Sequence, residues 1–433
     1  MSSCPVRVIL AKKYDLVVGD TFQLYYKGVV EAPNPYCYSI VAVCEKGKNM
    51  PRYFEFTPET AGEHKLTISV YDAQQNLLGS AQTVLNVVEP SDPKKKTNIL
   101  VVGDSLTASG TWVAEVNRRI SASDGKPKGL GYEGINFVGG CSQEGVRFEA
   151  FGGWSWYTFT KVSEGAMWVE CPNDRTEQDQ HSLWKDENGA IWQIETLQID
   201  YLKFNRYKDH TSPRPTGGYL YHYKNAVNQQ PIKIHSSSTE RTSPFYNTQA
   251  KKIDFKWYAK NNGIDSIDAF YILLGGNGTM RQIALNNTRH DYCKIVVEEA
   301  KVLVDKMHED FPNAKIKVMA MQLPSQNGGM GWSYGAEMPF TNHYNFTHYV
   351  MELNLAYEKW CEEEGYKDYM EFISLTGQFD SENNYPSIQK PVNVRSEITE
   401  RVDTNGLHPS KSGYMQVADA VFRNVVKEFC SKK

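Results

Sequence analysis

The rhythm of apolar and polar positions changes near residue 97. Before it, short segments such as residues 21–26 (TFQLYY), 38–43 (YSIVAV) and 64–71 (HKLTISVY) are rich in β-branched and aromatic residues and nearly alternate. Gly19-Asp20, Pro33-Asn34-Pro35 and Ala61-Gly62 punctuate them. Short strands at this spacing predict a small β-sandwich over residues 1–90. Residues 89–97 (EPSDPKKKT) hold two prolines and a lysine cluster. That is the composition of a domain boundary that few contacts cross.

From residue 98 strands and helices alternate. Residues 98–102 (NILVV) form an apolar run that stops at Gly103, as a buried parallel strand does. Helices are expected at 111–120, 291–311, 342–364 and 410–429, and strands at 135–138, 266–274, 315–320 and 369–375. The alternation predicts an α/β domain over 97–433 with a parallel sheet covered on both faces. Residues 160–260 break the rhythm, being rich in Trp, Tyr, Asn and Gly. A structureless loop of that length does not fit a compact domain, so an inserted small β subdomain is expected there.

Composition narrows the function classes. The chain has 433 residues, 40% hydrophobic and 23% charged, with a formal net charge of −4 and no long basic run. The footprint of a nucleic-acid binder is missing. No apolar stretch is long enough to span a bilayer. The N-terminal run MSSCPVRVILAKKYD lacks the long apolar core of a secretion signal. The expectation is a secreted or periplasmic protein without its signal peptide, otherwise a cytoplasmic one. The eight cysteines form no C-x-x-C pair and no zinc spacing, so most are expected to be buried thiols, although Cys37 and Cys44 could pair across a hairpin. No metal or nucleotide motif is present, and no cofactor is expected. Oligomeric state is not legible.

The chemistry sits at strand ends. Gly103-Asp104-Ser105-Leu106 follows the first apolar run and precedes a helix, where an α/β sheet presents its ligand-binding loops. Ser105 is placed to be a nucleophile; its plainer reading, and that of Asp104, is a helix cap. Gly275-Gly276-Asn277 ends the central apolar strand in the same way, and Phe151-Gly152-Gly153-Trp154 follows the second strand. Each alone reads as a turn. His408 lies in Asn405-Gly406-Leu407-His408-Pro409-Ser410, just before the last helix.

In order and in placement, these four pieces resemble the four blocks of the SGNH (GDSL-type) hydrolase family. Residues 405–416 (NGLHPSKSGYMQ) and 272–277 (ILLGGN) carry the resemblance best. It implies a three-layer α/β/α, flavodoxin-like domain and a serine esterase working through an acyl-serine intermediate. Ser105 would be the nucleophile and His408 the base. Ser105, Gly153 (or Gly152 if the register slips) and Asn277 would form the oxyanion hole, with Trp154 and Asp104 contacting substrate. The family's acid stands three residues before the histidine. Here that place holds Asn405, and the nearest carboxylate is Asp403. Either would orient His408, with Asp403 slightly favoured. Residues 56–88 resemble the closing hairpins of bacterial immunoglobulin-like domains. Chains of this two-domain build resemble carbohydrate O-acetylesterases, so an acylated carbohydrate or small ester is the expected partner. The aromatic insertion would suit sugar stacking, but its plainer reading is the subdomain's own core. Two other readings stay open: a lipase or thioesterase acting on acyl chains, and a carbohydrate-binding protein with weakened catalysis.

Overall fold

The computed structural model describes residues 6–160, 167–170, 175–197, 201–207, 215–239, 243–247, 249–284, 291–336 and 341–432. It divides into two compact units, 1–157 with 254–433 and 158–253.

The larger unit is mixed α/β. Its main sheet runs in the order Cys141–Gln143, Val146–Ala150, Thr97–Gly103, Ala269–Leu273, Lys315–Met319, Met370–Ile373, with Ile135–Val138 also paired to Thr97–Gly103. All pairs are parallel except the Cys141–Gln143 edge. The central strands are continuous apolar runs: every residue of Ala269–Leu273 is buried, as expected where helices cover both faces. Thr111–Ser121 turns Trp112, Val113, Val116 and Ile120 inward and packs against Lys411–Phe429. Asp291–Asp310 packs against His343–Cys361, which also touches Gly276–Ala284. Among the described residues no helix is long and apolar enough to cross a membrane.

The N-terminal strands belong to this same unit. One sheet runs Lys13–Val17, Leu77–Val88, Gly62–Tyr71, Ser39–Val43; a second runs Phe22–Tyr25, Tyr53–Phe56, Lys48–Asn49. Leu16, Leu66, Ile68, Val70, Leu85 and Val87 of the first share one core with Phe22, Leu24, Phe54 and Phe56 of the second. Few contacts were expected between this part and the main sheet, and the structure differs. Asp20, buried, accepts from Arg119 and from Nε of Arg423, both at 2.6 Å. Arg423 also donates to Gln378 Oε1 and the Thr21 carbonyl, and Arg119 to Asp419. A Cβ on Gly28 would lie 2.2 Å from the Thr376 carbonyl oxygen, so only glycine fits there. A proline-and-lysine composition reports where a chain is exposed, not what its neighbours bury.

The smaller unit is an antiparallel sheet in the order Ile232–Lys233, Tyr219–Lys224, Leu183–Lys185, Ile191–Leu197, Tyr201–Arg206, Met167–Glu170, Ser236–Thr239. Trp184, Trp192, Ile194, Leu202, Phe204 and Leu220 form its core. Cys37 and Cys44 are free thiols, so the hairpin disulfide is not formed. A two-stranded hairpin, Ser387–Pro391 with Thr399–Asp403, was not anticipated, because its residues are largely exposed and carry no apolar period.

Candidate active site

Strand register assembles the site. Gly103 pairs with Ala150 on one side and Leu273 on the other, so the three loops that follow leave the sheet side by side. The tight turn after Gly103 is set by contact: a Cβ there would meet Thr107 Oγ1 at 2.2 Å. Asp104 caps helix Ser105–Ala108, accepting from the Leu106 N–H at 2.9 Å. Ser105 thus stands at the helix start, half-buried. His408 arrives from the loop before Lys411–Phe429, and its Nε2 lies 2.8 Å from Ser105 Oγ. The two residues are 303 positions apart.

Neither candidate acid reaches the His408 ring. Asn405 Oδ1 instead accepts the backbone N–H groups of Leu407 (2.9 Å) and His408 (2.8 Å). It shapes the loop rather than the imidazole. Asp403 is fully buried, its Oδ2 accepts from Ser325 Oγ at 2.7 Å, and the Arg401 guanidinium lies 2.9 Å from Oδ1 without the angle of a hydrogen bond. Its carboxylate is committed to that pair, which corrects the expectation that it orients the base. Among the described residues the His408 side chain makes one hydrogen bond, to Ser105. Burial holds the imidazole below its usual 6.5, so the neutral form that can accept a proton dominates near neutral pH.

The loop is nonetheless fixed from outside. The Ser325 N–H donates to the Gly406 carbonyl and the Gly406 N–H to Ser333 Oγ. A Cβ on Gly406 would lie 2.6 Å from Met330 Cα. Gln322 Nε2 donates to the Leu407 carbonyl at 3.0 Å. Sequence reading passed over Gln322, although it follows the apolar strand Lys315–Met319 as Asn277 follows Ala269–Leu273.

Asn277 Nδ2 donates to Asp104 Oδ2 at 3.1 Å and to the Trp154 carbonyl at 2.9 Å. An amide nitrogen has two hydrogens, so both are in use, and Asn277 braces the three loops together. Asp104 is 2% exposed. Burial pushes its carboxyl up to about 7, against the opposing bonds from Leu106 and Asn277. The carboxyl is turned toward Leu106 and Asn277, away from solvent. Gly152 is the glycine beside the serine: its Cβ would lie 3.9 Å from Ser105 Cβ, whereas one on Gly153 (φ +78°) would have nothing within 4 Å. Trp154 is half-buried and packs on Phe151, ring centroids 4.4 Å apart.

Trp156, Trp184 and Trp192, in and beside the aromatic insertion, are fully buried and serve as core. Tyr157 is exposed, and the Trp168 side chain lies outside the described residues. Glu31, His348 and Glu352 converge closely enough to hold a metal, but Arg7 pairs with both glutamates, making the cluster an ion-pair network.

No protein-family model matches the chain, and no curated protein matches it in sequence. Distant likenesses exist among solved structures. A carbohydrate esterase family 3 protein from Talaromyces cellulolyticus is 10% identical, covering 77% of this chain and 97% of its own, at a TM-score of 0.35. A carbohydrate acetylesterase from Sinorhizobium meliloti is 12% identical over 77% of this chain and all of its own, TM-score 0.33. A peptidoglycan O-acetylesterase is 13% identical over 77% and 92%, TM-score 0.31. Likenesses at these scores do not bear on what this chain does.

Proposed function

We propose that the chain is a serine ester hydrolase of SGNH type, with Ser105 as nucleophile and His408 as base. The 2.8 Å approach of His408 Nε2 to Ser105 Oγ at the carboxyl edge of a parallel sheet carries this reading. A serine hydroxyl is a weak nucleophile until an adjacent base takes its proton. His408, neutral near pH 7, takes it as Oγ bonds to the ester carbonyl carbon. The resulting oxyanion needs donors. The Ser105 N–H, at a helix start and so without an intrahelical acceptor, is one. We assign the second to the Gly152 N–H rather than Gly153, because Gly152 approaches Ser105. Asn277 serves as a third by turning one amide hydrogen away from the Trp154 carbonyl. Collapse breaks the ester C–O bond, and the imidazolium returns its proton to the leaving alkoxide. Water, deprotonated by His408, then attacks the acyl-serine; the acid leaves as the Ser105 Oγ–acyl bond breaks, and the imidazolium returns its proton to Ser105 Oγ.

The residues on which the SGNH resemblance rests imply acylated carbohydrate as the substrate class, within a three-layer α/β/α core joined to an immunoglobulin-like β-sandwich. A p-nitrophenyl ester series tests both levels. Acetate should be preferred; a preference for long chains would indicate a lipase, and silence on every ester a binding protein. Ser105→Ala should lower kcat by at least about 10³-fold with melting temperature unchanged. Retained hydrolysis in that variant would remove the assignment.

A further inference from the structure

Two polar atoms, one on the base and one on a residue bound to its loop, are unmatched. One is Nδ1 of His408. The tautomer that lets Nε2 accept from Ser105 carries its hydrogen on Nδ1, and among the described residues that hydrogen has no acceptor. The other is Oε1 of Gln322. This side chain is 3% exposed and its oxygen is buried without a hydrogen-bond partner. It lies beside the Tyr385 phenol, but that hydroxyl gives its hydrogen to the Leu323 carbonyl. A buried acceptor left unpaired calls for an explanation.

Gln322 touches the chain immediately before the base. Gln322 Nε2 is bound to the Leu407 carbonyl at 3.0 Å, and that carbonyl belongs to the peptide joining Leu407 to His408. Gln322 also leaves the sheet at the edge that carries Ser105 and Asn277, three residues past Lys315–Met319. The carboxyl and amide groups expected to hold the ring are committed elsewhere: Asp403 to Ser325 and Asn405 to backbone N–H groups.

We propose that Gln322 is the positioning residue for His408, its Oε1 accepting the Nδ1 hydrogen as the ring takes the serine proton. The proposal rests on Ser105 and His408 forming the reacting pair. Protonation at Nε2 makes Nδ1–H a stronger donor, and bonds from a charged donor are shorter and stronger. Small coupled changes in the three side-chain torsions of a glutamine pivot the amide about Nε2, which stays near the Leu407 carbonyl while Oε1 moves. An amide oxygen fixes the tautomer as a carboxylate does but adds no charge.

The test uses the full chain and p-nitrophenyl acetate. Gln322→Met keeps the volume and removes the acceptor; kcat should fall on the order of 10-fold or more with KM within about twofold. Gln322→Glu supplies the missing charge. It should keep or raise kcat and move the acidic limb of the kcat profile to higher pH, because a carboxylate favours the imidazolium. A purely structural glutamine would leave that limb in place. An unmoved limb in Gln322→Glu, or Gln322→Met with kcat within twofold of the parent, overturns the proposal. Should Gln322→Met fail to fold, the limb in Gln322→Glu decides alone. Full activity in Ser105→Ala would instead remove the reacting pair, and the Gln322 assignment with it; activity lost in Ser105→Ala beside an unmoved limb removes the Gln322 assignment alone.

Discussion

Asp20 and Asp104 are both nearly inaccessible aspartates, at 8% and 2% exposure, yet their surroundings treat charge in opposite ways. Burial raises the carboxyl pKa at both sites. At Asp20 the guanidiniums of Arg423 and Arg119 outweigh it and hold the group below its ordinary value. At Asp104 backbone N–H groups and the Asn277 amide oppose burial without a cation, and the carboxyl rises to about 7. The first arrangement is an ion network that fastens the N-terminal strands to helices Thr111–Ser121 and Lys411–Phe429. The second leaves a group that is neutral in mild acid beside the serine. A buried charge that is fully paired serves stability, and one met only by dipoles is the pattern found at functional sites.

The largest effect that would break this contrast is at Asp20. Asp20→Ala strands two guanidiniums in the interior and should cost about 3–5 kcal/mol of unfolding free energy, measured by urea denaturation. A loss under about 1 kcal/mol would mean that water or Asp419 already satisfies them. Chain 97–433 alone would bare the same pair and should aggregate on expression.

Asp104 gives the next effect, and its sign runs against the usual carboxylate. Its folded pKa, about 7, lies above the ordinary 3.8, so the native state holds a proton that the unfolded chain releases between those values. Stability should therefore be free of this penalty below about pH 4, fall as pH rises to about 7, and level off above. Asp104→Asn should flatten that segment of the stability profile. An unchanged slope would place the titration elsewhere. Asp20 contributes with the opposite sign, present above its ordinary 3.8 and lost as acid protonates it.

The smallest effect is at Asp419. It meets Arg119 at 2.7 Å with a quarter of its side chain exposed, and Asp20 still holds that guanidinium when it is removed. Asp419→Asn should cost less than about 1 kcal/mol. A cost equal to that of Asp20→Ala would show that the network has no centre.

The contrast also marks what the sequence could reveal. Continuous apolar runs such as 269–273 and amphipathic helices such as 411–429 announce themselves, because one side of each must leave water. Asp104-Ser105 and Asn277 were legible because they sit directly after such runs. Asp20 was not: its partners are 99 and 403 positions away, and nothing local marks an aspartate that will be buried. His408 stands out as a candidate from its surrounding motif, but the group that would orient it does not. Asn405 and Asp403 were judged by distance along the chain, while their side chains turned to backbone N–H groups and to Ser325. Gly152 and Gly153 differ by one step, and only their distance from Ser105 separates them.

The Asp20 network also imposes an order in time. Ribosomes add roughly 5–20 residues per second, and Arg423 is made 403 residues after Asp20. The aspartate therefore leaves the ribosome with its two cations still unmade, Arg119 some seconds away and Arg423 on the order of a minute. During that interval the N-terminal strands can gather their own apolar core, but the acid at their edge stays hydrated and the face around it stays open. The nascent chain thus carries an unfinished seam through most of its synthesis. Closing it waits for the last helix to be made.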